Sequence, residues 1–407
     1  MVEITIITLE DRVCSLKMGD ELARAFFSCL KKDTPDSYRS LQIADTDFKN
    51  KLPLLHEFTE TYPCIHQFVS YLKKIKVDSY FAVMNGKITD SLLISQIKSE
   101  LEKLSGVPQR VDISLFEPIL SKYNMREYGA VRVNIGEPNK EKRICRFCGK
   151  SFPEVHFDTK SHAISEMLGN KNVICLEECD DCNKYFAQTI EQDLYSIVSF
   201  FISLYRIKGK DGERKTKGKN FSLYHDENNT LVFQLGKGIE IPRNLDELRN
   251  FDFVFDNTNN TYIPQNVYKC LCKFVLSVIA NNELIHYKKT IQWICGKLER
   301  KKIPLITFSE LPYVAKNPKL LVFQRKLNDA QFPYIFASLL CINMHFIFIL
   351  PFSSIDSVNF SFKKNYMSFF DNLRIWFPNL TYSLSNFSST EKDSMPIKID
   401  FKIPEGN

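Results

Sequence analysis

Cys145-Arg146-Phe147-Cys148 and Cys179-Asp180-Asp181-Cys182-Asn183 are two CxxC pairs with thirty residues between them. Each pair can present two thiolates from a tight turn, and the four together satisfy the tetrahedral coordination that Zn²⁺ prefers. A redox CxxC needs no second copy at such a separation. The pattern predicts a compact zinc module over residues 141–199, with Cys145, Cys148, Cys179 and Cys182 holding a structural Zn²⁺. Cys175 stands outside both pairs, in the apolar run Val173-Ile174-Cys175-Leu176, and reads as core.

Outward from this stretch, the 407 residues leave room for a domain on either side. With 44% hydrophobic and 25% charged residues, a largely disordered or fibrous chain is excluded. Only 14 Gly stand against 33 Phe and 17 Tyr, a balance that favours aromatic cores, and no glycine-rich phosphate loop occurs. Cysteines outside the pairs are scattered through apolar surroundings, which suits a reducing compartment. Met1 to Leu9 lacks the features of a secretory leader, so a cytoplasmic protein is expected. Phe332 to Phe352 is the one stretch resembling a membrane span, but Pro333, Ser338, Asn343 and His345 interrupt it, and His345-Phe346-Ile347-Phe348 reads as a buried strand. No membrane partner is expected.

The fold class expected is α+β and multidomain, with the zinc module between two α+β domains. Residues 1–140 offer a strand at Val2 to Leu9, a helix from Asp20 to about Lys32, and another capped by Asp90 that ends before Gly106. Gly136, Pro138 and the charges of Val131 to Arg143 read as a connector. Residues 200–407 offer strands at Leu231 to Leu235 and Phe251 to Phe255, then a helix opened by Pro264 with Val267, Leu271, Phe274, Val275 and Val278 at helical spacing. A helix over Leu284 to Leu298 follows, then strands at Leu320 to Leu327, Tyr334 to Leu340 and His345 to Leu350. Trp376, within Phe369 to Tyr382, fits either an interaction surface or the core. His225 and His286 have no second ligand at useful spacing and read as structural.

Charge is concentrated. Arg206, Lys208, Lys210, Arg214, Lys215, Lys217 and Lys219 face only Asp211 and Glu213 within residues 206–219, a local +5 in a chain of net +6. With Gly209, Gly212 and Gly218 this reads as a mobile basic loop.

Between the pairs lies Phe157-Asp158-Thr159-Lys160-Ser161-His162-Ala163-Ile164-Ser165-Glu166-Met167-Leu168-Gly169-Asn170. A purely structural zinc site needs none of this polar content. The order CxxC, strand-borne His, Gly-Asn loop, then CxxC-Asn opening a helix resembles the HNH endonucleases whose ββα-metal core, treble-clef-like, is stapled by zinc. The nearest branch reads roughly His-x-Ile-x-Glu-x-Leu-Gly-Asn, and the resemblance covers about residues 143–195.

That resemblance implies roles. His162 matches the general base that deprotonates water for attack on a phosphodiester, and Asn183 a ligand of the catalytic ion. Asn170 matches the middle Asn that orients the histidine, with Asn172 a neighbouring alternative. Ser161 stands where relatives carry Asp or Glu as a second ion ligand. Ser161 then ligates through its hydroxyl, or Asp158, Glu166 or Glu191 completes the site, or the module is inactive. Glu191, eight residues after Asn183, would share its face on one helix. An oxygen-rich site suits Mg²⁺ or Mn²⁺, whereas four thiolates close the Zn²⁺ site and leave it no catalytic vacancy.

DNA is the partner so implied. Lys160 and the seven basic residues of 206–219 would contact its phosphates, which raises affinity without reading sequence. Modules of this family also serve in prokaryotic anti-phage systems, where flanking domains would receive a sensor or activator protein or ligand. The alternative is a non-catalytic zinc-stabilised adaptor for nucleic acid or protein, favoured by Ser161.

Overall fold

The structure, a computed structural model, describes residues 2–9, 13–34, 37–88, 91–105, 117–209, 214–236, 252–326, 329, 331–376, 382–395 and 397–400. The chain mixes helices with several sheets and divides into two compact units, Met1–Val131 and Arg132–Asn407. The segment with the two cysteine pairs and the described residues after it share the second unit.

In the first unit an antiparallel sheet runs in the order Val13–Met18, Val2–Ile7, Tyr80–Asn85, Leu41–Ile43. The predicted first strand thus forms at Val2–Ile7. The helix that follows is Asp20–Ser28, with Gly19 rather than Asp20 at its N-cap, and Asp20 and Glu21 in the first turn favour the positive end of the helix dipole. It stops short of Lys32, because Lys32–Thr34 is already a strand paired with Ser37–Tyr38. Its buried residues Leu22, Ala23 and Phe26 pack toward Ile65–Lys74, where the Phe26 and Phe68 rings meet edge-on at 5.4 Å. A helix spans Ser91–Leu104; its expected cap Asp90 and the stop at Gly106 lie outside the described residues.

The second unit is organised around the Pro264–Val278 helix. Proline at its start has no N–H to lose, and all but two of its residues are buried. An amphipathic surface helix would show one polar face; this one is wrapped on every side. Further on, Ile306–Arg325 pairs antiparallel with Ile335–Ile349, and Ser383–Ser385 extends the same sheet. The three strands predicted between Leu320 and Leu350 therefore belong to two long ones: Tyr334 to Leu340 and His345 to Leu350 fall on the single strand Ile335–Ile349, and Leu320 to Leu327 on the end of Ile306–Arg325, with Leu327 itself outside the described residues. What looks like a break is a bulge, where Ile342 takes a left-handed φ of 57° opposite a register shift at Ala315. The residues from Phe332 to Phe352 are largely this strand, and no described helix is long and apolar enough to cross a membrane. Leu284 to Leu298 is a 3₁₀ turn, Asn281–Tyr287, followed by the short helix Lys288–Ile294.

The candidate histidines fall as structural ones. His345 is buried and bonds Ser338 at 2.7 Å through Nε2, and burial pushes its pKa down to about 4. His286 Nδ1 meets Ser354 at 3.2 Å, and His225 ends a strand at Phe221–His225. Phe369 and Phe370 are buried, so that part of the C-terminal aromatic stretch is core; the side chain of Trp376 lies outside the description.

The expected strands Leu231–Leu235 and Asp252–Phe255 form, with Phe251 outside the described residues. Phe200, Phe221 and Phe255 close a satellite core beneath them, with ring centroids 5.0 to 5.7 Å apart in edge-to-face pairs. Phe200→Ala should cost ~3–5 kcal/mol of stability, since a buried ring leaves a cavity that its neighbours cannot fill. Denaturant titration reads this directly, and a loss below 1 kcal/mol would mean the cluster collapses onto the gap.

Candidate active site

The zinc module is built locally. Ile144 and Ser151 form a β-bridge, Cys145 N donates to Lys150 O at 2.8 Å, and Gly149 N donates back to Cys145 O at 2.8 Å. Gly149 supplies the left-handed φ of 75° that closes this knuckle. Cys179 N-caps the Asp180–Gln188 helix, and its N–H points at Cys145 Sγ, 3.5 Å away.

The four sulfurs lie within 4.8 Å of one another, Cys148 and Cys179 at 3.7 Å. Ligands ~2.3 Å from a tetrahedral Zn²⁺ stand ~3.8 Å apart, so the cluster fits the ion. The hydrogen bonds of Cys179 and Cys182 pull the Cys145 thiol well below its ordinary value, so the cluster favours a thiolate at Cys145. Cys175 is core, as expected, its thiol pushed up to about 12 by burial.

His162 is carried by a short antiparallel ladder. It bridges Ile174, Ala163 N donates to Val173 O at 3.0 Å, and Cys175 N donates to Ser161 O at 2.9 Å. Asn170, 2% exposed, staples the loop between the two strands. Its Nδ2 donates to Ile164 O at 2.6 Å and Val173 O at 3.1 Å, and its Oδ1 accepts from Asn172 N at 3.0 Å and Val173 N at 3.1 Å. Asn170 thus orients the backbone that carries His162, and reaches no atom of the ring. Gly169 turns this loop with φ 92°, and a Cβ there would stand 2.4 Å from Lys316 O, so only glycine lets the long hairpin close over it.

The imidazole is mostly buried, with Nε2 3.4 Å from Glu166 Oε2 and Nδ1 enclosed without a partner. Burial holds its pKa below the ordinary 6.5, against the nearby Glu166 carboxylate and with help from Lys160 and Lys273. The ring is therefore neutral at physiological pH, as a base must be. Strand alternation puts Ser161 on the opposite face. Ser161 is 1% exposed and donates to Glu178 O at 3.3 Å, so its hydroxyl is turned inward to the backbone rather than toward an ion.

Asn183 lies one turn into the Asp180–Gln188 helix, beside the irregular segment leading to His162, and its Nδ2 meets Thr159 Oγ1 at 3.4 Å. Asp180 holds the same segment by accepting from Thr159 N at 2.9 Å and Asp158 N at 3.1 Å. Asp158 itself is exposed and pairs with Lys140 at 3.0 Å. Glu191 starts a second helix, Ile190–Leu204, because the first ends at Gln188. The eight-residue spacing to Asn183 therefore does not put the two on one helix face. Glu191 Oε1 is 3.1 Å from Lys273 Nζ and Oε2 accepts from Ser165 Oγ at 2.7 Å, so both its oxygens are engaged. Among the described residues the four cysteines are the only cluster of three or more His, Cys, Asp or Glu with the spacing of a metal site.

Two buried cations join the module to the Pro264–Val278 helix. Arg146 donates to Leu276 O, Glu177 and Asn281 at 2.8 to 2.9 Å. Lys273, fully buried, donates to His162 O at 3.0 Å and lies 3.1 Å from both Glu178 and Glu191. Burial alone would push this ammonium toward neutrality, but the carboxylates of Glu178 and Glu191 outweigh it and hold it above its ordinary value. Sequence reading passes over Lys273; the available signal was a lysine inside the apolar spacing of Val267, Leu271, Phe274 and Val278.

The second half of the basic run, among the described residues, holds a strand. Thr216–Lys217 is a strand paired with Phe221–His225, fixed by Thr216 Oγ1 donating to Ser199 O at 2.8 Å. Arg214 lies over the Tyr195 ring at 4.9 Å and Lys215 over Tyr224 at 4.0 Å, cation–π contacts that hold both charges against the surface. Lys160, Lys208, Lys217 and Lys219 are exposed, Arg206 is half-buried, and Lys210, Asp211, Gly212 and Glu213 lie outside the described residues.

Residues 145–196 match the family model described as HNH endonuclease. No curated protein and no solved structure matches the chain.

Proposed function

We propose that this protein is a divalent-metal-dependent endonuclease that hydrolyses DNA phosphodiester bonds with His162 as general base. The observation that carries this is a neutral, mostly buried imidazole, bridged to Ile174 and lying between the two cysteine pairs, within the segment that matches the HNH endonuclease family. Nδ1 is enclosed, so water is activated at Nε2. Its proton passes to the ring as the water oxygen attacks phosphorus, and Glu166, 3.4 Å away, stabilises the imidazolium that forms. Asn183, through its amide oxygen, and the scissile phosphate would hold Mg²⁺ or Mn²⁺, which supplies charge stabilisation at the departing 3′ oxygen. Lys160, Lys208, Lys217 and Lys219 meet backbone phosphates. The residues outside the match recruit the substrate or receive an activating signal, and a role as an anti-phage effector accords with that arrangement.

The inward-turned Ser161 favours a second reading, a zinc-stabilised adaptor that binds without cutting. Supercoiled plasmid incubated with the purified protein and Mg²⁺ or Mn²⁺ separates the two. Nicking that a chelator abolishes is expected, and DNA binding without nicking under either ion would leave the adaptor.

A further inference from the structure

We propose that Lys273 is the positioning residue of the His162 site, a role that rests on the nuclease reading and adds to it a group 111 residues away in sequence. Its ammonium is fully enclosed on the Pro264–Val278 helix. It makes three polar contacts, and each ends on a different segment around the site. One goes to the carbonyl of His162 at 3.0 Å. A second goes to Glu191 on the following helix, whose other oxygen accepts from Ser165 Oγ at 2.7 Å, so the His162 to Ser165 turn is gripped at both ends. The third goes to Glu178, the residue before the zinc ligand Cys179, at 3.1 Å. One cation therefore ties the base-bearing strand to the metal-bearing turn. A lysine serving only to bury a helix would be better replaced by leucine, since burying an ammonium costs more than its ion pairs return. The purchase here is geometric: a displacement of about 1 Å at a catalytic group lowers rates on the order of 100-fold.

The test separates positioning from charge compensation. Lys273→Met alone strands a buried carboxylate and should lower stability. Lys273→Met with Glu178→Gln removes the ammonium and the fully buried carboxylate, and leaves the partly exposed Glu191 its Ser165 contact. This double variant should melt near the wild type and keep its zinc, with KM for supercoiled DNA within twofold and kcat at least tenfold lower. In protein labelled with ¹⁵N at histidine, the His162 ring signals, assigned by their loss in His162→Ala, should shift while the other six histidines hold still. Wild-type kcat together with an unmoved His162 signal would overturn the proposal. Should the double variant not fold, Ser165→Ala cuts the same grip without disturbing buried charge. It should move the same signal, and an unmoved signal there overturns the proposal equally. The ring signal does not depend on cleavage: a wild type that cuts no DNA sinks the nuclease reading alone.

Discussion

Replacing His162 by alanine is expected to slow plasmid nicking by roughly 10²–10⁴-fold, the usual contribution of a positioned general base. Zinc content and melting temperature should hold, because the imidazole is bonded to nothing the fold depends on: Nδ1 has no partner and Nε2 only the Glu166 carboxylate at 3.4 Å. The pH profile supplies an independent sign. Burial keeps the ring below 6.5, so the rate of the wild type should rise with pH through a midpoint under that value and be flat by neutrality. Glu166 is the opposing influence that raises the pKa, so Glu166→Gln should move the acid limb lower still. The same depression has a stability consequence. A histidine that binds its proton less readily folded than unfolded contributes stability above 6.5 and loses it as the pH falls through its folded value; for His345 that window runs from 6.5 to about 4. Nicking by His162→Ala at the wild-type rate, from a preparation free of other nucleases, would remove the base from the mechanism.

What could be read from the chain and what could not divide along the range of the interactions. The cysteine cluster, the extended backbone at His162 and the loop at Asn170 were legible as local structure because a knuckle, a bridge and an Asx-stapled loop are short-range devices whose residue types are dictated within a few positions. Lys273 was not, since nothing near residue 273 announces that His162 O, Glu178 and Glu191 will surround it. Glu191 misled for a related reason. Its spacing from Asn183 assumed one helix, and the chain starts a second at Ile190. Hydropathy likewise broke the Ile335–Ile349 strand in two, because a bulge at Ile342 is a matter of φ and leaves no polar mark of its own. In the basic run, glycines and charge signalled a loop, while the features that order its second half are the Tyr195 and Tyr224 faces under Arg214 and Lys215, neutral partners that no count of charges shows.

Emptying the four-cysteine cluster of the metal it would hold, by chelation or by Cys179→Ser, should do more damage than any change at His162. Structural zinc in small domains is worth ~10–16 kcal/mol of apparent binding free energy, which exceeds what a module of some fifty residues can hold from its own core. The consequences spread in a definite order. Cys179 stands at the N-cap of the Asp180–Gln188 helix with no side-chain cap bond, so a metal held through its sulfur is what anchors the start of the helix that carries Asn183. Glu177 and Glu178 precede it directly and hold Arg146 and Lys273, the two cations through which the Pro264–Val278 helix is docked. Their release leaves both cations buried and unpaired, a cost of ~3–5 kcal/mol for each broken pair. The second unit should therefore lose its cooperative transition together with its cleavage activity. The sheet of the first unit has a hydrophobic core of its own around Phe26, Phe68 and Phe81, and should keep its protected amides in hydrogen exchange. Cys175→Ser makes the control: its sulfur is core and outside the cluster, so zinc should stay bound at full stoichiometry. A Cys179→Ser protein that retained zinc and a native melting transition would place the metal elsewhere, and with it the helix that presents Asn183.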